Sequence, residues 1–253
     1  NSLYNTIYCF FLTISFYIKE KILYEINKKK IKLLLKKDNP LISIILPTFN
    51  RSEMLKKRSA ISVLRQTYKN FELLIIADGC TDDTEEVVKK FNDKRVKLFK
   101  IERSKPRYPQ TVENHWFCGP VAGINYGLLK VKGDWIARID DDEIWTKNHL
   151  KSLLDHIVKN KCEFVSSKRL ELRDGIYKIA DHKISCFYNV DYDVRIGGVN
   201  TWLYAAYLSF FKANMNCWRK KINKVNDADL IFRMSKIGIK KCFLDKSTHI
   251  GLP

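Results

Sequence analysis

Short runs rich in apolar residues alternate with longer amphipathic stretches from residue 41 onward. Runs of this length predict buried strands at 41–46, 71–76, 96–101 and 135–139. Helical periodicity between and after them predicts helices at 52–65, from 81 onward, at about 120–131 and at 146–159. Because strands that alternate with helices form βαβ units, the sequence predicts an α/β fold whose mainly parallel sheet is flanked by helices.

The second half of the chain has a less regular pattern. It predicts a strand at 164–168, a helix at 202–212, a helix at 227–236 and a last strand at 240–244. Residues 102–118 are predicted to form a long polar loop, and 177–195 to form short strands and loops.

The first 39 residues form a helical extension that is first apolar and then basic. Residues 3–18 are apolar and aromatic, but this stretch is shorter than the roughly 20 residues that span a bilayer. Residues 19–37 continue as a lysine-rich helix, and the polar break at 38–40 marks the predicted domain boundary. Two interpretations stay open, a helix on an anionic membrane surface or a helix packed on the domain with a solvated basic face.

Composition and charge narrow the function classes. With 253 residues, 45% of them hydrophobic, the chain can bury a sizeable core. Its net charge of +18 favours polyanionic partners, but no zinc-finger, helix-turn-helix or RNA-recognition signature accompanies it, so we expect no specific nucleic-acid partner. Seven scattered cysteines indicate neither a disulfide framework nor a zinc site. We therefore expect a cytoplasmic protein. The alternative is a protein bound peripherally at the cytoplasmic face of an anionic membrane.

Four consecutive acids, 140–143, follow the strand predicted at 135–139. The carboxyl end of a strand is where open α/β sheets bind ligands. Adjacent carboxylates repel one another unless a cation neutralises them, and oxygen ligands suit Mg²⁺ or Mn²⁺, which share their coordination with substrate phosphates. The alternative is a solvated acidic turn.

Four motifs in this order resemble those of family 2 glycosyltransferases with the GT-A fold. They are PTFNR at 47–51, ADGCTDDT at 77–84, GPVAGINYGLLKVKGDWIARIDDDE at 119–143 and NDADLIFR at 226–233. The resemblance covers roughly 42–251 and implies a GT-A type, Rossmann-like sheet. It further implies a glycosyltransferase domain at 40–253, with a nucleotide-binding half at 40–145 and an acceptor-binding half at 146–253.

The resemblance implies a nucleobase site, usually for uracil, in the loops after the first two strands. The matching positions are Pro47, Thr48, Asn50, Arg51 and Asp78. A carboxylate accepts the imide N–H of uracil, which suits an aspartate at the end of the second strand. Short polar residues also make ordinary turns, and both roles can hold together.

Donor phosphate and sugar contacts are implied farther along. Asn125 is a further donor-binding candidate, but the arginine that the family often carries before it is absent. The resemblance therefore leaves the phosphate contact to Arg138, Arg103 or Arg107. Gly198 belongs to a glycine pair that resembles the loop where backbone approaches the donor sugar.

In the family's Asp-x-Asp element, Asp140 matches the contact to the ribose or to metal-bound waters. Asp142 matches the ligand of a divalent ion, Mn²⁺ or Mg²⁺, which acts as a Lewis acid on the departing nucleoside diphosphate. Asp141, included among the donor-binding candidates, is expected to point outward or to cap a helix. His249 matches a metal-binding histidine, although a lone histidine near a terminus is often incidental.

The resemblance implies a general base in an acid pair at the start of a late helix. Asp227 is the matching candidate here, with Asp229 as its alternative. A single displacement at the anomeric carbon needs a carboxylate opposite the leaving diphosphate, and it inverts configuration. No Gln-x-x-Arg-Trp motif of the processive synthases is present, so we expect one sugar per encounter. The resulting hypothesis is a metal-dependent, inverting transferase that moves a sugar from a UDP-linked donor to a glycan or lipid-linked acceptor. The alternative is a noncatalytic GT-A-like module that binds polyanions or sugar nucleotides.

Overall fold

The computed structural model describes residues 2–103, 105–173, 175–180, 194–219 and 226–252. The strands within these ranges form one nine-stranded sheet. Among the helices within these ranges, none combines the length and the apolar character that crossing a bilayer requires.

The first half of the chain builds the parallel part of the sheet. Its strands are β1 (Ile42–Thr48), β2 (Phe71–Asp78), β3 (Val96–Ile101) and β4 (Trp135–Arg138). They lie in the order β3-β2-β1-β4, and each neighbouring pair is parallel. Every residue of β1, β2 and β4 is buried, as expected for strands covered on both faces. The predicted strands of this half are confirmed.

Helices of the first half connect and cover these strands. They are α3 (Ser52–Lys57), α4 (Ser59–Leu64), α5 (Thr84–Lys90), α6 (Val112–Cys118) and α7 (Val121–Leu128). The single helix predicted at 52–65 is wrong, because Arg58 leaves helical geometry at φ −123° and ψ −86° and separates α3 from α4. Helix α7 approaches β1 so closely that a Cβ on Gly127 would lie 2.6 Å from the side chain of Ile45.

The second half turns the sheet into a mixed one. It contributes β5 (Ile144–Trp145), β6 (Phe164–Arg173), β7 (Ile176–Ala180), β8 (Leu203–Ala205) and β9 (Lys241–Gly251), together with α8 (His149–Asn160) and α9 (Asn226–Ile237). The sheet continues from β4 through β8, β6 and β9 to β5, and β7 pairs with β6. Strand β8 runs antiparallel to both β4 and β6, so the parallel order ends at β4.

Two predictions for irregular regions are wrong. Residues 202–212 do not form one helix, because β8 pairs between β4 and β6 and is followed by a single 3₁₀ turn at 206–208. The predicted loop at 102–118 contains α6, which Thr111 caps by accepting a hydrogen bond from the N–H of Asn114. Of the region at 177–195, residues 177–180 lie in β7, and 181–193 fall outside the described ranges.

One cysteine pair differs from the sequence-based expectation. Cys162 and Cys242 form a disulfide between the segments that begin β6 and β9. The two strands are parallel neighbours, which brings together residues separated by 80 positions in the chain. The cytoplasmic location stays a prediction.

The N-terminal extension is helical and rests on the sheet domain. It consists of α1 (Ser2–Asn27), a 3₁₀ turn at 28–30 and α2 (Ile31–Leu34). One face of α1 is buried against α9, where Glu20 pairs with Arg233. A turn later, the hydroxyl of Tyr24 donates to Glu163 at 3.0 Å. The extension therefore packs on the domain, as one of the two open interpretations predicted.

Candidate functional site

The candidate residues converge at one edge of the sheet. Strands β2, β1 and β4 are parallel neighbours, so their carboxyl ends lie side by side. The loop at 47–51 continues β1, Asp78 ends β2, and the acids at 140–143 follow β4 by one residue. The topology thus assembles three segments that are far apart in sequence.

An arginine from the first loop bridges two members of the acid run. The Nη1 of Arg51 lies 3.0 Å from Oδ1 of Asp141 and 2.7 Å from Oδ2 of Asp142. The Thr48 hydroxyl donates to the other carboxylate oxygen of Asp141 at 2.9 Å. Arg58 reaches the backbone carbonyl of Asp142 at 3.3 Å. The loop after β1 is therefore tied to the acid run by charge-assisted hydrogen bonds.

The predicted outward orientation of Asp141 is wrong. Its carboxylate is buried and faces the β1 loop, because both of its oxygens accept hydrogen bonds from that loop. Burial raises the pKa of Asp141 to about 6, although Arg51 and the Thr48 hydroxyl pull it back toward its usual range. Asp141 thus holds the acid run against Thr48 and Arg51 from a buried position.

Asp140 is held from two sides. Oδ1 accepts hydrogen bonds from Nε and Nη2 of Arg138, at 3.1 and 2.8 Å. On the other side, the Asn200 amide donates to Oδ2 at 3.1 Å and accepts from the Asp140 backbone N–H at 2.8 Å. These contacts fix the direction of the partly exposed Asp140 carboxylate.

Asn200 organises the site in a way that the sequence did not indicate. Besides holding Asp140, its backbone carbonyl accepts the indole N–H of Trp145 at 2.7 Å. Trp145 is buried and stacks on His149, with ring centroids 4.1 Å apart, so it packs in the core. Asn200 follows the glycine pair, but its partners are 55 and 60 residues away, and no local signal marks such contacts.

Asp142 and His249 were the predicted metal ligands, and their environments differ. The Asp142 side chain is 41% exposed, and its Oδ2 pairs with Arg51 at 2.7 Å. A half-exposed carboxylate fits a divalent ion that takes its other ligands from a diphosphate and water. His249 is fully buried, and its Nε2 lies 2.9 Å from Oε2 of Glu143. In the described ranges, no group of three or more acid, histidine or cysteine side chains is arranged to hold a metal ion.

The nucleobase candidates lie between the first two loops. The guanidinium of Arg107 forms a bidentate ion pair with Asp78. Its Nη2 donates to Oδ1 at 2.8 Å, and its Nη1 donates to Oδ2 at 2.6 Å. Arg103 approaches the same carboxylate at 3.9 Å and stacks over the ring of Phe49 at 4.5 Å. Arg103 and Arg107, proposed from the resemblance as phosphate contacts, are thus placed beside the base-binding candidate instead.

Asn50 joins the loops after β1 and β2. It adopts a left-handed conformation with φ of 51°, which asparagine tolerates better than most residues. Its side-chain oxygen accepts from the Thr81 N–H at 2.7 Å, and its amide donates to the Thr81 hydroxyl at 3.2 Å. Asn50 therefore fixes the two loops relative to each other, and its ligand contact stays a prediction.

The remaining donor-binding candidates have structural partners. Pro47 is buried near the end of β1, where a Cβ on Gly123 of α7 would lie 2.9 Å from its side chain. Asn125 uses its whole side-chain amide to exchange two 2.9 Å hydrogen bonds with the backbone of Ala213. Gly198 begins the 3₁₀ turn at 199–201, and a Cβ there would find nothing closer than 3.7 Å. Their ligand contacts stay predictions.

Asp227 occupies the first turn of α9 beside the acid run. It is half-buried, and burial raises the pKa of Asp227 while the nearby Arg138 guanidinium opposes that rise. The Nη1 of Arg138 also lies 3.4 Å from the side-chain oxygen of Asn226. Asp229, the alternative base, is buried in an ion pair with Arg233 at 2.8 Å and faces α1. Geometry favours Asp227 over Asp229.

Comparison with known proteins gives a consistent result. The family model described as "Glycosyl transferase family 2" matches residues 43–226. A relative from Escherichia coli, named UDP-Glc:alpha-D-GlcNAc-diphosphoundecaprenol beta-1,3-glucosyltransferase WfgD, is 34% identical over 128 residues. The aligned part is 51% of this chain and 45% of that relative, so the chain spans less than half its length.

Solved structures share the fold. S. aureus TarS 1-349 in complex with UDP has a TM-score of 0.59 and 17% identity, over 84% of this chain and 60% of that one. The mannosyltransferase PcManGT from Pyrobaculum calidifontis, in complex with GDP-Man and Mn²⁺, has a TM-score of 0.60 and 15% identity, over 97% and 68%. The predicted GT-A type fold with its helical extension is confirmed.

Proposed function

Because this chain belongs to glycosyl transferase family 2, we propose that it transfers one sugar from a UDP-linked donor to a hydroxyl of a glycan or lipid-linked acceptor. The match to the family model confirms the predicted family and enzyme class. The identities of the donor, the acceptor and the metal are part of the proposal. The WfgD relative is named for UDP-Glc, and the TarS neighbour was solved with UDP, which supports a uridine nucleotide.

The observation that carries the proposal is the position of Arg138. Its guanidinium contacts Asp140 of the acid run on one side and Asn226, beside Asp227, on the other. The donor-side acids and the candidate base therefore share one arginine at the carboxyl end of β4. A transferase needs this juxtaposition, because the leaving diphosphate and the incoming hydroxyl flank the same anomeric carbon.

Asp227 accepts the acceptor's proton in this mechanism. As the acceptor oxygen bonds to the anomeric carbon, the bond from that carbon to the diphosphate oxygen breaks, and UDP leaves with the bonding electrons. The configuration is inverted because attack and departure occur on opposite faces. Burial raises the pKa of the Asp227 carboxyl above its usual range, and a carboxylate with a raised pKa is a stronger base than an exposed aspartate.

The donor side is held by loops that the structure ties together. Asp78, oriented by Arg107, accepts from the base, and Asp140 faces the ribose. Asp142 would hold a divalent ion, Mn²⁺ or Mg²⁺, which would supply Lewis-acid stabilisation of the diphosphate. Mn²⁺ in the PcManGT complex supports this choice of cofactor. For His249 the Glu143 contact is the better-supported role.

Release of UDP from a panel of UDP-sugars in the presence of Mn²⁺ tests the proposal. We expect Asp142→Ala to lose the metal-dependent release, and Asp227→Asn to lower transfer by about 10²–10⁴-fold with UDP affinity retained. Asp155→Asn, an exposed acid on α8, serves as the matched control. Equal release by the parent chain and Asp142→Ala across the panel would reject the metal assignment, and salt-sensitive polyanion binding without any UDP response would favour the noncatalytic module.

A further inference from the structure

Helix α1 presents a continuous row of apolar side chains to solvent. Six of them are between 40% and 69% exposed, and we call them the apolar face: Phe10, Phe11, Ile14, Ile18, Ile22 and Ile26. They recur at steps of one, three or four residues, so they share one side of the helix over about 24 Å. An exposed apolar surface of this extent marks an interaction site.

The opposite side of α1 is fixed to the domain, so the apolar face has a defined orientation. Arg233 on α9 pairs with Glu20 and stacks over the ring of Phe16 at 4.7 Å. Lys21 reaches the backbone carbonyl of Ile237 at 3.4 Å, and Tyr24 donates to Glu163. Because α1 is already ordered on its own domain, binding of a partner to the apolar face does not carry the entropy cost of ordering the helix.

The charge beside the apolar face identifies the partner. Residues 19–37 contain eight lysines and two glutamates, and one of these glutamates, Glu20, is buried. Lys29, Lys30 and Lys32 are exposed directly after α1. An apolar helix face next to clustered lysines fits the boundary between acyl chains and anionic headgroups. A second copy packed in parallel through this face would bring its own lysines against these, whereas anionic headgroups would neutralise them.

We propose that the apolar face of α1 and the adjacent lysines dock the enzyme on a bilayer with anionic headgroups. The helix lies in the interface, with its apolar face among the acyl chains and the lysines at the phosphates.

This docking also bears on the acceptor, a point that rests on the proposed function. Helix α1 packs on the helix that carries the candidate base, because Phe16 and Glu20 contact Arg233 of α9. Arg233 lies six residues from Asp227, about 9 Å along α9. A bilayer bound to α1 would therefore hold an acceptor carried on a lipid near the base-bearing helix.

Vesicle flotation without any donor tests the docking independently of catalysis. We expect the full chain to float with vesicles of phosphatidylcholine and phosphatidylglycerol in equal parts, and much less with phosphatidylcholine alone. Phe11→Ser combined with Ile22→Ser should weaken partitioning by about a hundredfold, about tenfold for each side chain. Lys29→Gln, Lys30→Gln and Lys32→Gln together should weaken it to a similar degree, about fivefold per lysine at low salt.

The controls carry the same chemical changes elsewhere on the surface. Leu129→Ser combined with Val158→Ser removes two exposed apolar side chains, and Lys56→Gln, Lys57→Gln and Lys89→Gln together remove three exposed lysines. Both controls should bind vesicles like the parent chain. The α1 variants should keep the parent's far-UV circular dichroism melt and its UDP release, since the apolar face lies outside the site.

Three results would overturn the proposal. The first is vesicle binding that the α1 variants leave unchanged. The second is no binding to the mixed vesicles at all, and the third is a dimer in light scattering that the apolar variants dissolve. Failure of UDP release with intact vesicle binding would instead reject the proposed function and leave the docking surface standing.

Discussion

Two carboxylates share one guanidinium between α1 and α9. Arg233 donates to Glu20 and to Asp229, and its remaining nitrogen donates to the backbone carbonyl of Lys212 at 2.6 Å. When both acids are ionised, the buried cluster carries a net negative charge. Within the described residues, Oε2 of Glu20 has no hydrogen-bond partner. Burial, reinforced by Asp229, raises the pKa of Glu20 to about 7, while Arg233 and Lys19 oppose the rise.

We therefore expect Glu20→Gln, which mimics the protonated acid, to change stability in a pH-dependent way. The native state holds this proton more tightly than the unfolded chain, whose pKa is about 4.5. The proton's contribution is present in full below pH 4.5 and is lost as pH rises through about 7. Between pH 5 and pH 8 the free energy of unfolding of the parent chain thus falls by about 2.5 kcal/mol through this group, and that of the glutamine variant does not.

Urea unfolding followed by circular dichroism at pH 5 and pH 8 measures this difference. Groups common to both proteins cancel, so the free energy of unfolding of Glu20→Gln relative to the parent should rise with pH. Glu25→Gln on the same helix is the control, since Glu25 is exposed and its pKa is lowered by Lys28 and Lys21. If Glu20→Gln is instead more damaging at pH 8 than at pH 5, the ion pair outweighs burial and the reasoning is wrong.

Two further substitutions test other parts of the structure. Gly197→Ala should lower the free energy of unfolding by about 3 kcal/mol, because its Cβ would lie 2.0 Å from a backbone oxygen of β6, whereas Gly198→Ala should be nearly neutral in the same urea titration. Arg107→Gln should weaken UDP binding about tenfold in calorimetry, because Asp78 loses its two-pronged partner, and Arg103→Gln, at 3.9 Å from that carboxylate, should weaken it less. Equal effects within either pair would contradict the geometry.

The parallel half of the fold could be predicted because its strands are buried on both faces. Such strands appear as continuous apolar runs, and the positions of β1 and β2 followed from them directly. A similar apolar run at 202–212 led to the wrong prediction of a helix. There an apolar, aromatic run is consistent with either a buried helix or a strand, and pairing with β4 and β6 decides for the short strand β8.

The convergence of the candidate residues could be predicted, but the contacts among them could not. Strand order brings the acids together with the first two loops, which the motifs anticipated. The pairing of Asp78 with Arg107 and of Asp140 with Asn200 depends on side chains that are 29 and 60 positions apart. Neither a helical nor a strand period relates such residues, so only the folded chain reveals them.

The change of strand direction at β4 limits which later segments can vary without moving the acid run. Strand β4 pairs with β1 over four residues on its parallel side and with β8 over three on its antiparallel side. The acid run after β4 is also held from the antiparallel side, because Asn200 pairs with Asp140 and β5 pairs with β9. A substitution beyond β8 that keeps these contacts should leave the acid run in place, whereas the loss of Asn200 should release Asp140 on that side.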